Sequence, residues 1–139
     1  MLIKNKKVGI SVPINLILAS LTNYTLKQIL QRPRPIEYRI IDESGYSLPS
    51  GHSMVSMAFY GYLIYLIYRQ IKNKYIKWSL ITLLSLLIIS IGISRIYLGV
   101  HYTSDVIAGF LVAISYLIIY INIINKNIDL KFTVSDTVQ

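Results

Sequence analysis

Residues 94–105 read SRIYLGVHYTSD, a polar segment between two apolar stretches that cover residues 78–93 and 106–124. Within it, His101 and Asp105 lie four residues apart, which is about one helical turn, so a helix beginning here would place both side chains on one face. The carboxylate could then fix the tautomer of the imidazole. The spacing makes His101 a candidate nucleophile and Asp105 its partner.

The composition indicates that the solvent of this chain is lipid. Of its 139 residues 54% are hydrophobic and 14% are charged, whereas an ordinary soluble domain carries about 25% charged residues. Four apolar stretches cover residues 8–26, 54–68, 78–93 and 106–124. A membrane span needs about 20 residues, or as few as about 17. The first and last stretches are therefore long enough by themselves. The middle two are long enough if the polar residues at their ends lie at interfacial depth. The predicted fold class is an all-α, multi-pass transmembrane helical bundle with about four spans.

The net charge of +8 fits a membrane protein better than a nucleic-acid-binding protein, because the basic residues cluster at the ends of apolar stretches and form no continuous basic face. If four helices alternate, nine Lys and Arg residues lie on one side of the membrane and five on the other. The positive-inside rule predicts that the side with nine is cytoplasmic. The expected location is the cell membrane, with the polar segments on the extracytoplasmic side. The nine are Lys4, Lys6, Lys7, Arg69, Lys72, Lys74, Lys77, Lys126 and Lys131, and the five are Lys27, Arg32, Arg34, Arg39 and Arg95.

The chain reads as one transmembrane core over residues 1–125, followed by a polar cytoplasmic tail over residues 126–139. It contains no cysteine, which excludes a disulfide framework and a thiol-ligated metal. In the segment Arg32-Pro33-Arg34-Pro35 each proline disfavours helical geometry in the residue before it, so the first helix is expected to end near Leu30. Lys27 then lies in its last turn.

A second polar segment, Pro49-Ser50-Gly51-His52, is typical of a helix start with Ser50 as the N-cap. The free amides of such a start suit an anion, and glycine lets the backbone approach it closely. Small and polar residues inside the helices are expected to face neighbouring helices rather than lipid. These are Asn15, Ser20, Asn23, Gly92, Gly109 and Ala113.

Together the polar segments contain the groups that phosphoryl transfer requires, which are cations around the oxygens, an in-line nucleophile and an acid for the leaving oxygen. His101 would attack phosphorus to form a phosphohistidine, and His52 would protonate the leaving alkoxide and then activate water. Both histidines of the chain fall within these segments. Lys27, Arg34 and Arg95 would clamp the phosphate, with hydrogen bonds from the Ser50 hydroxyl and the Gly51 amide. The charges interpreted as solvated loop residues are Arg32, Glu37, Arg39, Asp42 and Glu43.

The three segments resemble the tripartite signature of the type 2 phosphatidic acid phosphatase superfamily over residues 27–105. In the first segment Lys27 is followed, after six residues, by Arg34-Pro35. The second segment is Pro49-Ser50-Gly51-His52. In the third, Ser94-Arg95 is followed after five residues by His101 and after three more by Asp105. The resemblance implies a metal-independent lipid phosphatase without a cofactor that passes through a phosphohistidine. It implies His101, His52 and Asp105 as catalytic residues, and Lys27, Arg34, Ser50, Gly51 and Arg95 as phosphate-binding residues. The substrates it suggests are undecaprenyl diphosphate, phosphatidylglycerol phosphate or phosphatidate.

Two alternative functions fit parts of this sequence. Vanadium haloperoxidases carry a similar signature, but they are soluble, and the four apolar stretches argue against that activity. A non-catalytic or truncated membrane paralogue would bind phosphate without turnover. Integral-membrane members of the superfamily commonly have six helices with the signature beginning after the third, so the first helix here matches their third. Either two helices are dispensable or the chain is a shortened product, and the oligomeric state is left open.

Overall fold

The computed structural model describes residues 6–37 and 39–127, and this part of the chain is all-helical. Its helices are α1 (Lys6–Leu30), α2 (Gly51–Gln70), α3 (Lys74–Tyr97) and α4 (Thr103–Asn127). The predicted all-α fold class is confirmed. The predicted tail begins inside α4, which continues through residues 126 and 127, and residues 128–139 lie outside the described residues.

Two helix boundaries were predicted correctly. α1 ends at Leu30, just before the proline-containing segment. α2 begins at Gly51 with Ser50 as its N-cap, and the Ser50 side chain accepts a hydrogen bond from the amide of Ser53. α2 and α3 contain 20 and 24 residues and extend beyond the apolar stretches that predicted them. At 1.5 Å per residue they are about 30 and 36 Å long, which matches the thickness of a hydrocarbon core.

α3 and α4 are long and apolar enough to cross a membrane. The first apolar stretch was expected to be long enough for a membrane span, but α1, which contains it, is not among these candidate spans. Asn15 and Asn23 lie on α1 and lower its apolar content. Both side chains are buried, and the Asn15 amide donates to the carbonyl of Ala58 on α2 at 2.8 Å. Asn15 and Asn23 therefore face the bundle, as predicted, whereas Ser20, which was predicted to do the same, is exposed.

α2 lies at the centre of the bundle and contacts each of the other three helices. Glycine allows α4 to approach the start of α2, because a Cβ atom at Gly109 would lie 2.9 Å from the carbonyl oxygen of Ser50. In the same region the Ser50 amide donates to the carbonyl of Asp105 at 3.0 Å. Close packing and this backbone hydrogen bond thus hold the first turns of α2 and α4 against each other.

The opposite half of the bundle is closed by a buried cluster of Tyr62, Leu66, Leu117 and Tyr120. The two tyrosine hydroxyls reach α1, where Tyr62 Oη lies 2.7 Å from the Ser11 hydroxyl and Tyr120 donates to the Ser11 carbonyl at 2.5 Å. Buried tyrosines need such partners for their hydroxyls. This cluster joins α1, α2 and α4.

The outer face of α3 carries exposed aliphatic side chains. Leu83, Leu86, Ile89 and Ile93 are each more than half exposed. A continuous apolar surface of this kind is unusual for a monomer in water and typical of a surface that faces lipid. Tyr75 and Tyr97 lie near the two ends of the same helix and are also exposed, as expected for anchors at the membrane interfaces.

Candidate active site

The three polar segments meet at one end of the bundle, where α1 and α3 end and α2 and α4 begin. They surround a cavity of about 720 Å³. Six of the predicted site residues line it, namely Lys27, Arg34, Gly51, His52, Arg95 and His101. Ser50 and Asp105 do not line the cavity and are fully buried beside it.

His101 lies in the turn between α3 and α4 and is almost completely buried. Its Nε2 atom faces the cavity side, 3.1 Å from Nη1 of Arg34. Its Nδ1 atom faces the interior, 3.4 Å from the Ser47 hydroxyl and 3.6 Å from Oδ2 of Asp105. The predicted pair of His101 and Asp105 is therefore adjacent, but a turn brings the two together, because α4 begins only at Thr103.

Asp105 is held by donors from three directions. Oδ2 accepts hydrogen bonds from the Ser47 hydroxyl and from the Tyr102 amide, the latter at 2.9 Å, and Oδ1 accepts one from Nη1 of Arg32 at 2.9 Å. The same Arg32 nitrogen donates to the Ser104 hydroxyl at 2.7 Å, and its guanidinium lies 4.3 Å from the centre of the Tyr102 ring. The interpretation of Arg32 as a solvated loop charge is wrong. The sequence Arg-Pro-Arg-Pro could have predicted the position of Arg32 at the site. Prolines favour an extended segment, in which residues two apart, such as Arg32 and Arg34, point to the same side.

Arg34 organises the loop that covers the cavity. Its side chain is nearly buried and forms an ion pair of 2.6 Å with Glu43. It also donates to three backbone carbonyls, those of Ser44, Gly45 and Val100, at 3.0–3.1 Å. The guanidinium thus connects the loop before α2 to the turn that carries His101.

Glu43 was also interpreted as a solvated charge, and this too is wrong. Its carboxylate lies within the cavity, where Oε2 is 2.6 Å from Arg34 and 3.8 Å from Nε2 of His101. Oε1 lies 3.9 Å from Nη1 of Arg95 and 3.9 Å from Nδ1 of His52. Residues 39–50 contain no helix or strand whose periodicity could have assigned a face to Glu43.

The remaining predicted phosphate-binding residues differ in their hydrogen-bond partners and in whether they line the cavity. The Lys27 ammonium lies at the cavity and donates to the Tyr46 carbonyl at 2.5 Å. Arg95 has a side chain that is 18% exposed and donates to the Ser94 hydroxyl at 3.2 Å. The Ser50 hydroxyl is used as the cap of α2 and accepts from the Ser53 hydroxyl at 2.9 Å. Gly51, one residue later, lines the cavity.

Burial and neighbouring cations keep His101 from holding a proton strongly. Burial, followed by the charges of Arg34 and Lys27, lowers the pKa of His101 from 6.5 to about 4. His101 is therefore neutral at neutral pH, as a nitrogen nucleophile requires.

Over residues 6–37 and 39–127, no three His, Asp or Glu side chains are grouped so that they could hold a metal ion. The carboxylates at the cavity are instead paired with arginines, Asp105 with Arg32 and Glu43 with Arg34.

This arrangement can be compared with known proteins. The family model of the PAP2 superfamily matches residues 9–129. The chain belongs to the PAP2 superfamily. A solved transmembrane PAP2-type phosphatidylglycerolphosphate phosphatase from Bacillus subtilis superposes with a TM-score of 0.77 at 28% identity, covering 86% of this chain and 60% of that one. The all-helical fold described above is thus the fold of a transmembrane PAP2 protein.

The similar curated PAP2 proteins are phosphatases by name. Phosphatidylglycerophosphatase B of Bacillus subtilis (strain 168) is 36% identical over 94 residues, which is 65% of this chain and 45% of that protein. Sphingosine-1-phosphate phosphatase 1 of Rattus norvegicus is 36% identical over 68% of this chain and 23% of its own length. Dolichyldiphosphatase 1 of Dictyostelium discoideum is 29% identical over 76% of this chain and 47% of its own length. The chain spans less than half the length of these relatives.

Proposed function

We propose that this PAP2 chain is a metal-independent membrane phosphatase that hydrolyses a lipid phosphomonoester or diphosphate through a phosphohistidine on His101. The observation that carries the proposal is a single cavity in which His52, His101 and three cationic side chains face one another. The names of the relatives support it, because each names a phosphatase that acts on a lipid phosphate or a dolichyl diphosphate.

In the first chemical step, Nε2 of His101 attacks phosphorus and forms a P–N bond while the P–O bond to the lipid breaks. His52 gives its proton to the departing oxygen. In the second step, His52 takes a proton from water, the water oxygen attacks phosphorus, and the P–N bond breaks to return neutral His101 and inorganic phosphate. The low pKa of His101 supports its role, because an imidazole that is neutral at neutral pH can attack without first losing a proton.

Three cations and one helix start would hold the phosphate. Lys27, Arg34 and Arg95 line the cavity from α1, from the loop and from α3. The amide of Gly51 lies at the start of α2, where free backbone amides favour an anion. Ser50 would contribute by capping this start rather than through a contact of its own hydroxyl. A bound phosphate dianion would favour the proton on His52, because it offsets the positive charges that surround the cavity.

The shape of the cavity supports a lipid substrate. Beyond the charged residues, the cavity wall includes the apolar side chains of Leu16, Val55, Phe59 and Ile91, together with Asn23, Ser56 and Tyr60. Leu16 precedes Lys27 by eleven residues on α1, which corresponds to about 16 Å along the helix axis. A hydrocarbon chain attached to the phosphate would therefore find an apolar path between α1, α2 and α3.

We further propose that all four helices span the cell membrane and that the cavity opens on the extracytoplasmic side. α1 and α2 would span as members of a bundle, with their polar residues directed at neighbouring helices. The basic residues at the other end of the helices support this orientation through the positive-inside rule. Those in the described part of the chain are Lys6, Lys7, Arg69, Lys72, Lys74, Lys77 and Lys126.

The candidate substrates are phosphatidylglycerol phosphate, undecaprenyl diphosphate and phosphatidate. The test is turnover of this panel by purified protein in the presence of a chelator. We expect phosphate release that persists in chelator, is blocked by vanadate and disappears in the His101→Ala variant. Absence of release from well-folded protein on the whole panel would contradict the proposal and favour a paralogue that binds phosphate without turnover.

A further inference from the structure

A carboxylate inside a phosphate-binding cavity is unexpected, because it repels the anionic substrate. Glu43 nevertheless lies at the meeting point of the site. One of its oxygens faces Arg34 and His101 at 2.6 and 3.8 Å, and the other faces Arg95 and His52 at 3.9 Å each. The two imidazoles and two of the cations assigned to the phosphate therefore converge on this one carboxylate.

The contacts of Arg34 show that Glu43 occupies a replaceable position. Nη1 of Arg34 lies within hydrogen-bond distance of three acceptors, which are Glu43 Oε2, the Val100 carbonyl and Nε2 of His101. A guanidinium nitrogen of this kind carries two hydrogens, so three acceptors cannot all be fully satisfied. The backbone carbonyl and the imidazole are fixed by the fold, whereas the carboxylate is at the end of a flexible side chain.

The loop geometry would let the carboxylate leave. Two backbone hydrogen bonds anchor the segment 41–45 on both sides. The Ile40 amide donates to the Leu98 carbonyl at 3.1 Å, and the Ser47 amide donates to the Arg32 carbonyl at 2.8 Å. Most side chains of this segment are exposed, and the Glu43 side chain itself is 25% exposed. Gly45 has a φ of +76° and open space beside it. The Glu43 side chain can turn towards solvent while the anchored ends of the loop stay in place.

We propose that Glu43 is a resident anion of the active site, which occupies the place of the phosphate in the free protein and is displaced by it. This inference rests on the proposed function and adds a residue that sets how tightly the site holds phosphate. The carboxylate balances the cations when the cavity is empty. It returns as inorganic phosphate leaves, so it competes with the product and limits product inhibition.

The test is the affinity for inorganic phosphate and for vanadate, measured by calorimetry at one pH and ionic strength, without any lipid. Glu43→Gln keeps the shape of the side chain and removes its charge, and Glu43→Ala removes the side chain. Asp42→Asn is the matched control, since it removes an equal charge from the neighbouring exposed residue. We expect both Glu43 variants to bind phosphate about tenfold more tightly, which corresponds to about 1.4 kcal/mol, and Asp42→Asn to bind like the parent chain.

If Glu43 served only to hold Arg34 in place, its variants would bind phosphate more weakly, which is the opposite sign. Weaker or unchanged binding in both variants would overturn the inference, as would equal tightening in Asp42→Asn or the absence of phosphate binding in every form. Tighter phosphate binding in a chain that hydrolyses none of the lipid phosphates would support the role of Glu43 as a competing anion. The same result would contradict the proposed function, so the two failures are distinguishable.

Discussion

Nη1 of Arg34 lies 3.1 Å from Nε2 of His101, the nitrogen that faces the cavity. A permanent cation at this distance disfavours a proton on the imidazole, and it donates to the same lone pair that would attack phosphorus. Burial and this contact together keep His101 neutral in the free protein. A bound phosphate would offer Arg34 a stronger acceptor and would make the lone pair of His101 available.

This relationship predicts the titration of His101. The chain has two histidines, so isotope-labelled imidazoles give two sets of resonances, which the His52→Gln variant assigns. We expect His101 to titrate near pH 4 and to be neutral above that value. Arg34→Gln should raise its pKa towards 6.5, because the second-largest cause of the lowered value is removed. Arg39→Gln, which replaces an exposed arginine of the same loop, should leave it unchanged. A parent His101 that titrates near 6.5 would contradict this account.

Arg32 is predicted to support catalysis through Asp105 without touching the substrate. Arg32→Gln removes a charge-assisted hydrogen bond to a buried carboxylate, and such bonds contribute about 1.5–3 kcal/mol. We expect kcat to fall by about tenfold or more while KM changes little, since Arg32 does not line the cavity. The measurement is steady-state kinetics, with Arg39→Gln as the control, because Arg39 is exposed and donates to the backbone carbonyl of Pro35. Equal kinetics in the two variants would count against this role.

Gly109 is predicted to be essential for the geometry of the site although it lies outside the cavity. In Gly109→Ala the new methyl group would meet the Ser50 carbonyl, which is rigid backbone, at 2.9 Å. Overpacking of this kind costs about 1–3 kcal/mol and would move α4 away from the start of α2. Gly61→Ala is the matched control, since its closest neighbour is a side-chain methyl group of Leu117 at 2.8 Å, which can rotate, rather than backbone. Thermal unfolding in detergent should show a clearly larger loss for Gly109→Ala, and a larger loss for Gly61→Ala would refute the prediction.

The apolar part of the cavity is predicted to bind the hydrocarbon chain of the substrate. Ile91→Phe adds bulk to its wall, whereas Ile89→Phe makes the same change on the outer face of α3. Turnover of a long-chain lipid phosphate should therefore fall in Ile91→Phe, with little effect on a short-chain analogue. Comparison of kcat/KM for the two substrates provides the measurement. A loss that is independent of chain length would show that the cavity wall does not select the chain.

The sequence predicted those features that depend on local chemistry. The prolines at 33 and 35 marked the end of α1, Ser50 marked the start of α2, and the positions of the polar segments at helix ends predicted their convergence. Hydrophobic stretches located all four helices, although the helices extend beyond them because helical hydrogen bonding continues into the polar residues at the site.

The contacts of the long loop could not be predicted in this way. Arg32 and Asp105 are separated by 73 positions, and Glu43 contacts residues on α2, α3 and the turn before α4. Such contacts depend on how an irregular segment folds over the bundle, and no periodicity records that path. For the same reason Ser47, which is buried between Asp105 and His101, was missed.

Trapping of the phosphoenzyme from a radiolabelled lipid phosphate would show whether His101 forms the covalent bond to phosphorus. We expect an acid-labile label on His101 in the parent chain and no label in His101→Ala. His52→Ala should keep residual label with a substrate that has a good leaving group, because such a substrate needs less help from an acid. A label that persists in His101→Ala, or its equal and complete loss in both variants, would contradict the account.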